Sequence, residues 1–131
     1  MTDYRQRSLD LIAFGQRLTG AKVYLRKDWN VYYFDLLGKQ FGIMSVIPDE
    51  HALLTLKGLP EKNEILREQY TDVTPGYHTN KVHWNSIKLG TSQLSTAELE
   101  KMILASYSLV YQKLSKKDQL SLTNSMKESD F

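Results

Sequence analysis

One stretch of the chain concentrates side chains with chemical capacity: Pro75-Gly76-Tyr77-His78-Thr79-Asn80-Lys81-Val82-His83-Trp84-Asn85. It brings aromatic rings, imidazoles, carboxamides and an ammonium into one turn and the segment after it. Flat rings offer faces for stacking, and amides, imidazoles and a lysine donate hydrogen bonds to phosphate oxygens. That set suits recognition better than turnover. Tyr77, His78, Asn80, Lys81 and His83 are the surface candidates, whereas Trp84, inside a strand-like pattern, reads first as sheet packing.

Chemistry that transforms a substrate finds less support. His78 and His83 are five apart, so on a continuous strand they point to opposite faces and do not converge on a metal. His51 belongs to another element, and the chain has no cysteine. No metal site and no cofactor are therefore expected. The chain contains neither a Gly-x-Ser-x-Gly elbow nor a glycine-rich phosphate loop of the Gly-x-x-x-x-Gly-Lys or Gly-x-Gly-x-x-Gly kind. No residue is assigned a catalytic role, and the chain is expected not to be an enzyme.

The elements that must carry this stretch fit one domain. The chain has 131 residues, 41% hydrophobic and 24% charged, with a net charge of +2. That is an ordinary globular balance with a core large enough to need no disulfide. No apolar run approaches the ~18 residues of a membrane span. No charged-then-apolar leader opens the sequence, so a cytoplasmic, non-membrane protein is expected. The basic excess is N-terminal: Arg5, Arg7, Arg17, Lys22, Arg26 and Lys27 stand against Asp3, Asp10 and Asp28.

Residues 3–18 read as a helix with Leu9, Leu11, Ile12, Ala13, Phe14 and Leu18 on or beside one stripe. Residues 22–25 alternate weakly and suggest a short strand or the approach to one. Residues 30–37 are β-branched and aromatic, Gly38-Lys39 is a hairpin turn, and 41–47 is the returning strand. Residues 51–57 make a third strand after the Pro48-Asp49 break. Pro60 opens a helix to about residue 70, with Ile65 and Leu66 as its buried pair. Residues 77–89 give one or two strands. Ser95-x-x-Glu98 is a capping box for a helix whose face is Leu99, Met102, Ile103, Ser106, Val110 and Leu114.

The pattern predicts a single α+β domain over residues 1–118, in the order α-β-β-β-α-β-β-α. Its antiparallel sheet has about five strands, with helices on one face and the other face open. A polar tail, 119–131, is expected to fray.

On these residues the sequence resembles the YjbR/MmcQ family of small bacterial proteins. The shared pieces are Gly38-Lys39-x-Phe41, Leu56-Lys57-x-x-Pro60-Glu61 leading to Leu66-Arg67, Pro75-Gly76-Tyr77-His78-x-Asn80-Lys81-x-His83-Trp84, and Ser106-Tyr107. They run in order over roughly residues 30–115. The acidic, Pro-Phe-Gly-rich stretch usual after the family's first helix is replaced here by Lys22 to Trp29. The resemblance implies a frataxin-like (CyaY-like) fold in which Gly38, Phe41, Pro60, Arg67, Pro75, Gly76, Trp84, Ser106 and Tyr107 are structural. It also implies DNA binding through a pair of β-wings. Frataxin-type iron binding is not expected, because the first helix sets Arg5, Arg7 and Arg17 against only Asp3 and Asp10.

Two functional readings follow. In the first, Lys39 at a hairpin tip and Lys81 beside a turn straddle duplex DNA, assisted by Lys57 or the N-terminal arginines, with weak and salt-sensitive binding. In the alternative, the chain binds a protein or small ligand through Tyr32, Tyr33, Phe34 and Trp84 on the sheet. Strand alternation puts Tyr32 and Phe34 on one face and Val31 and Tyr33 on the other. A wet basic edge favours DNA; a dry aromatic patch favours the alternative.

Overall fold

A computed structural model describes residues 3–129. Helix α1 (Tyr4–Arg17) begins at Asp3, whose carboxylate accepts the Gln6 amide at 3.0 Å. Strands β1 (Ala21–Arg26), β2 (Val31–Leu36), β3 (Lys39–Ser45) and β4 (Leu53–Lys57) follow as a meander. Helix α2 (Pro60–Gln69) leads to β5 (Val73–Pro75) and β6 (Trp84–Lys88). Helices α3 (Thr96–Lys113) and α4 (Lys116–Ser129) complete the fold. All pairings are antiparallel, in the order β1-β2-β3-β4-β6-β5.

The α+β class and the helix-covered sheet agree with the sequence pattern; the sheet has six strands rather than about five. The weakly alternating segment near 22–25 is a full edge strand, paired with β2 from Ala21↔Leu36 to Arg26↔Val31. The segment after Gly76 is not strand until Trp84. His78 takes a positive φ of 57°, and the Asn80 side chain accepts the amides of Val82 and His83 at 2.9 and 3.2 Å. An asparagine that captures its own downstream amides closes a turn and withdraws them from a ladder. The opposite-face argument for His78 and His83 therefore does not apply.

Register assigns the two sheet faces. Val23, Phe34, Gly42, Leu56 and Asn85 lie in one row and Leu25, Tyr32, Met44, Leu54 and Ile87 in another, both on the helix side. Tyr24, Tyr33, Ile43, Thr55 and Ser86 alternate to the other side. The register slips by one residue at Phe34/Asp35, the irregularity of a β-bulge, so Phe41 joins Gly42 on the helix side. Phe41 meets Phe34 edge-on at 5.7 Å and Tyr107 of α3 at 5.8 Å. The tight turn at Leu37-Gly38 has both residues at positive φ, 51° and 86°, which is why a glycine belongs there.

Helix α3 follows the sequence closely: the Ser95–Glu98 capping box is present and Leu99, Ile103, Ser106 and Val110 are buried. The other helices differ. In α1 the buried residues are Ser8, Leu11 and Gly15, while Leu9 is exposed. A Cβ on Gly15 would lie 2.7 Å from Val23 and 2.8 Å from Phe34, so beside Leu11, Ile12, Phe14 and Leu18, which pack on the core as the stripe predicts, the inward face includes small residues that an apolar stripe does not reveal. In α2 the buried residue is Asn63 and Ile65 is exposed. The expected domain edge at 118 falls in the first turn of α4, where Ser115 Oγ accepts the Asp118 amide at 3.1 Å. The segment expected to fray is helical to Ser129, and Leu122 is buried over Gly20; its last two residues, 130–131, lie outside the described residues. Among the described residues no helix is long and apolar enough to cross a membrane.

Candidate functional site

The side of the sheet without helices is a groove of about 820 Å³. Its floor comes from the outward row of the central strands, including Ile43, Ser45, Leu53 and Thr55. Three connections wall it. The β1–β2 turn contributes Trp29 and Asn30, the β3–β4 connection Ile47, Asp49 and His51, and the 76–83 loop Tyr77, His78, Thr79 and Asn80. Trp84, at the start of β6, lines the same space. The size lies within the roughly 300–1,000 Å³ of small-ligand sites.

Two hydroxyls beneath it are occupied, while Thr79 Oγ1 in the wall is buried with no hydrogen-bond partner among the described residues. Thr55 and Ser86 share a buried hydrogen bond of 2.7 Å, and Ser86 Oγ also accepts the Tyr77 amide at 2.9 Å. The aromatic walls remain accessible: Trp29 is 50% and Tyr77 59% exposed. Trp29 is held from outside by Arg26, whose guanidinium lies 3.6 Å from its ring centroid and pairs with Asp28 at 3.1 Å. Burial first, and then the Asp35 carboxylate, push the neighbouring Tyr33 phenol above its ordinary range, so it stays a neutral hydroxyl. Among the described residues no lysine or arginine lines the groove; Asp49 and the imidazoles of His51 and His78 are its ionisable groups besides the Tyr77 phenol.

The 76–83 loop is tied down by residues of the motifs that carry the resemblance. Arg67 of α2 donates to Asn85 Oδ1 at 2.6 Å, to the Trp84 carbonyl at 3.2 Å and to the Lys81 carbonyl. Gly76 donates its amide to the Trp84 carbonyl at 2.8 Å. Lys81 bends back onto the Gly76 carbonyl at 2.9 Å, so its ammonium is a loop clip, and Asn80 is held in its own turn. His83 is exposed and does not line this groove. Ser106 Oγ bonds the Lys57 carbonyl at 2.6 Å and Tyr107 Oη the Thr19 carbonyl at 2.6 Å, fixing α3 to the sheet and to the end of α1.

The predicted site residues therefore divide. Tyr77, His78 and Asn80 gather at the groove. Lys39 and Lys57 gather elsewhere, at the end of the sheet shared by the β2–β3 turn, the end of β4 and the start of β6. Burial, then Lys113 and then Lys39, lower the Lys57 pKa, which brings in a cation from the end of α3. None of these three lysines has an ion-pair partner among the described residues. Of the N-terminal arginines, Arg7 is committed to the Thr96 hydroxyl and to the carbonyls of Leu89 and Thr91.

Sequence reasoning missed Trp29, Ile43, Leu53 and Thr55 as groove residues. The alternation at Val31 and Tyr33 held the signal for the floor, and a tryptophan in a strand-to-strand turn held the signal for the wall.

A family model described as YjbR matches residues 17–109. The chain is 30% identical over 98 residues to the uncharacterised protein YjbR of Escherichia coli K12, covering 75% of this chain and 81% of that one. It is 36% identical over 86 residues to the uncharacterised protein YbdF of Escherichia coli O157:H7, covering 66% and 69%. Among solved structures, Deinococcus radiodurans DR2400, a DUF419 protein, superposes with a TM-score of 0.78 at 27% identity over 88% of this chain and 87% of that one. A Pseudomonas syringae protein shares the fold with a TM-score of 0.62 at 21% identity, over 83% and 98%.

Proposed function

This chain belongs to the YjbR family, and we propose that it is a non-enzymatic binding protein whose site is the open-face groove. The occupant is an uncharged aromatic or apolar group, from a small molecule or a peptide side chain. The observation that carries this is the groove itself: both tryptophans of the chain line it, together with Tyr77, and among the described residues no lysine or arginine does. A lining of exposed rings over the mutually bonded Thr55 and Ser86 hydroxyls gains by shedding water against a carbon surface. A polyanion would meet Asp49 there without a lysine or arginine to offset it. His78, held at positive φ with its ring 4.0 Å from Tyr77, is the kind of strained residue that collects at binding sites.

Because both tryptophans line the groove, their fluorescence reports on it. Titration with N-phenyl-1-naphthylamine, a neutral aromatic probe, is expected to give saturable energy transfer that is lost in Trp29→Ala/Tyr77→Ala. Saturation that survives the double substitution, or no saturation at all, removes this reading.

One observation favours a second reading, weak binding of duplex DNA. Lys57 feels the charges of both Lys39 and Lys113, none of the three is ion-paired among the described residues, and Lys39 and Lys57 stand at the end of the sheet where the β2–β3 turn and the 76–83 loop both project. Anisotropy of a labelled duplex at low and near-physiological salt, with wild type and Lys39→Ala/Lys57→Ala, tests it. Removing one lysine–phosphate interaction lowers the slope of log affinity against log salt by about 0.9. An unchanged slope excludes those lysines.

A further inference from the structure

On the helix side, α2 and α3 diverge over the ends of β4 and β6 and leave a second groove of about 350 Å³. Its walls are carbon: Leu56, Leu66, Ile87, Met102 and Leu109 line it. Three of the polar side chains within it are already engaged, and Ser108 and Gln112 are the other uncharged ones. Ser106 Oγ donates to the Lys57 and Met102 carbonyls, Asn63 to the Gly58 and Val82 carbonyls, and Asn85 to the Asn63 carbonyl while accepting from Arg67. A polar ligand inserted here would find few free partners, whereas an alkyl chain would displace poorly bonded water.

The mouth is the opposite. Lys57 lines the groove and is half-buried, close enough to Lys39 and Lys113 for each to disfavour its charged form. Lys62, on α2, lines the same groove. No carboxylate among the described residues pairs with any of these four lysines. Cations held together without a counterion are relieved by an anion, so the complement is one negative charge at the mouth and a carbon tail within.

We propose that the α2–α3 groove binds a linear alkyl carboxylate, with its tail between Leu66 and Met102 and its carboxylate at Lys57. This site is separate from the open-face groove and stands or falls independently of it.

Methyl-labelled protein titrated with decanoate, decanol and acetate tests the assignment, the last two being the tail without the charge and the charge without the tail. Decanoate is expected to give saturating shifts at the methyls of Leu56, Leu66, Ile87, Met102 and Leu109, with decanol several-fold weaker and acetate producing none. Lys57→Gln should weaken decanoate by roughly three- to tenfold and leave decanol unchanged. Ala105→Trp places a ring over the groove from an exposed position of α3 and should abolish both. The methyl spectra of the two variants report whether each is folded. The proposal is overturned by the absence of saturation below the micelle concentration, by equal affinity for decanol, by indifference to Lys57→Gln in a folded variant, or by shifts confined to Ile43 and Leu53.

Discussion

The same strands build two unlike surfaces. Toward the helices, Phe34, Leu54 and Ile87 are fully buried and Met44 nearly so, and they pack carbon on carbon. One residue along each strand, on the open side, Thr55 and Ser86 bond to each other and Ser86 also accepts the Tyr77 amide of the 76–83 loop, while the rings of Trp29 and Tyr77 stand exposed at the margin. Packing thus concentrates on one face, and the groove of the proposed function lies on the other. A protein divided this way can lose its binding surface without losing its fold, and that is what makes the comparison testable.

The largest effect belongs to the helix side. Phe41→Ala, which removes a ring packed against Phe34 and Tyr107, is expected to cost about 3–5 kcal/mol in chemical denaturation. A loss near 1 kcal/mol would mean that this face is not the main source of stability.

Arg67→Ala comes next, at about 2 kcal/mol, because it orphans carbonyls and the Asn85 amide oxygen. Hydrogen exchange should accelerate over residues 76–84 and stay slow in β2 and β3. Uniform acceleration would show that the loop and the core open together, and the division between faces would fail.

Tyr77→Ala, on the open face, should change stability by less than about 0.5 kcal/mol while weakening the neutral aromatic probe. A larger destabilisation would make the groove wall part of the packing.

The smallest effect is electrostatic. Burial, Lys113 and Lys39 depress the Lys57 pKa in the folded chain. Between that lowered value and the ordinary lysine range the unfolded chain binds more protons, so this group makes stability rise with pH through that window. Lys57→Gln should flatten that alkaline rise and leave the neutral-pH melting temperature equal or higher. A fall at neutral pH would place an unrecognised anion beside Lys57.

Legibility along the chain follows the range of the interaction. The α3 cap was readable because Ser95 and Glu98 meet within one turn. The split of Tyr32 and Phe34 from Val31 and Tyr33 was readable because side chains alternate on any strand. The inward face of α1 was readable only in part: Leu11, Ile12, Phe14 and Leu18 pack on the core, but Gly15 and Ser8 are buried for being small and Leu9 is exposed. Helix α4 was not readable, because its polar sequence conceals an apolar contact, Leu122 over Gly20. Within the 75–85 stretch the residue types drew attention correctly to a loop beside a groove. Their roles were not visible: Lys81 and Asn80 use their polar atoms on the loop's own backbone.

By itself the sequence determined the α+β class, helices α1 to α3, the β2–β3–β4 meander with a glycine turn at Gly38 (one residue earlier than Gly38-Lys39, since Lys39 already opens β3) and the alternation that gives the sheet two different faces. These depend on residues a few positions apart. Tertiary structure alone decided the sites. Placing β6 between β4 and β5 swings the 76–83 loop beside the floor of Ile43 and Thr55 and opposite the Trp29 turn. The same folding brings Lys39, Lys57 and Lys113 into one field. Grooves and charge clusters are properties of distance through space, and no local periodicity encodes that distance.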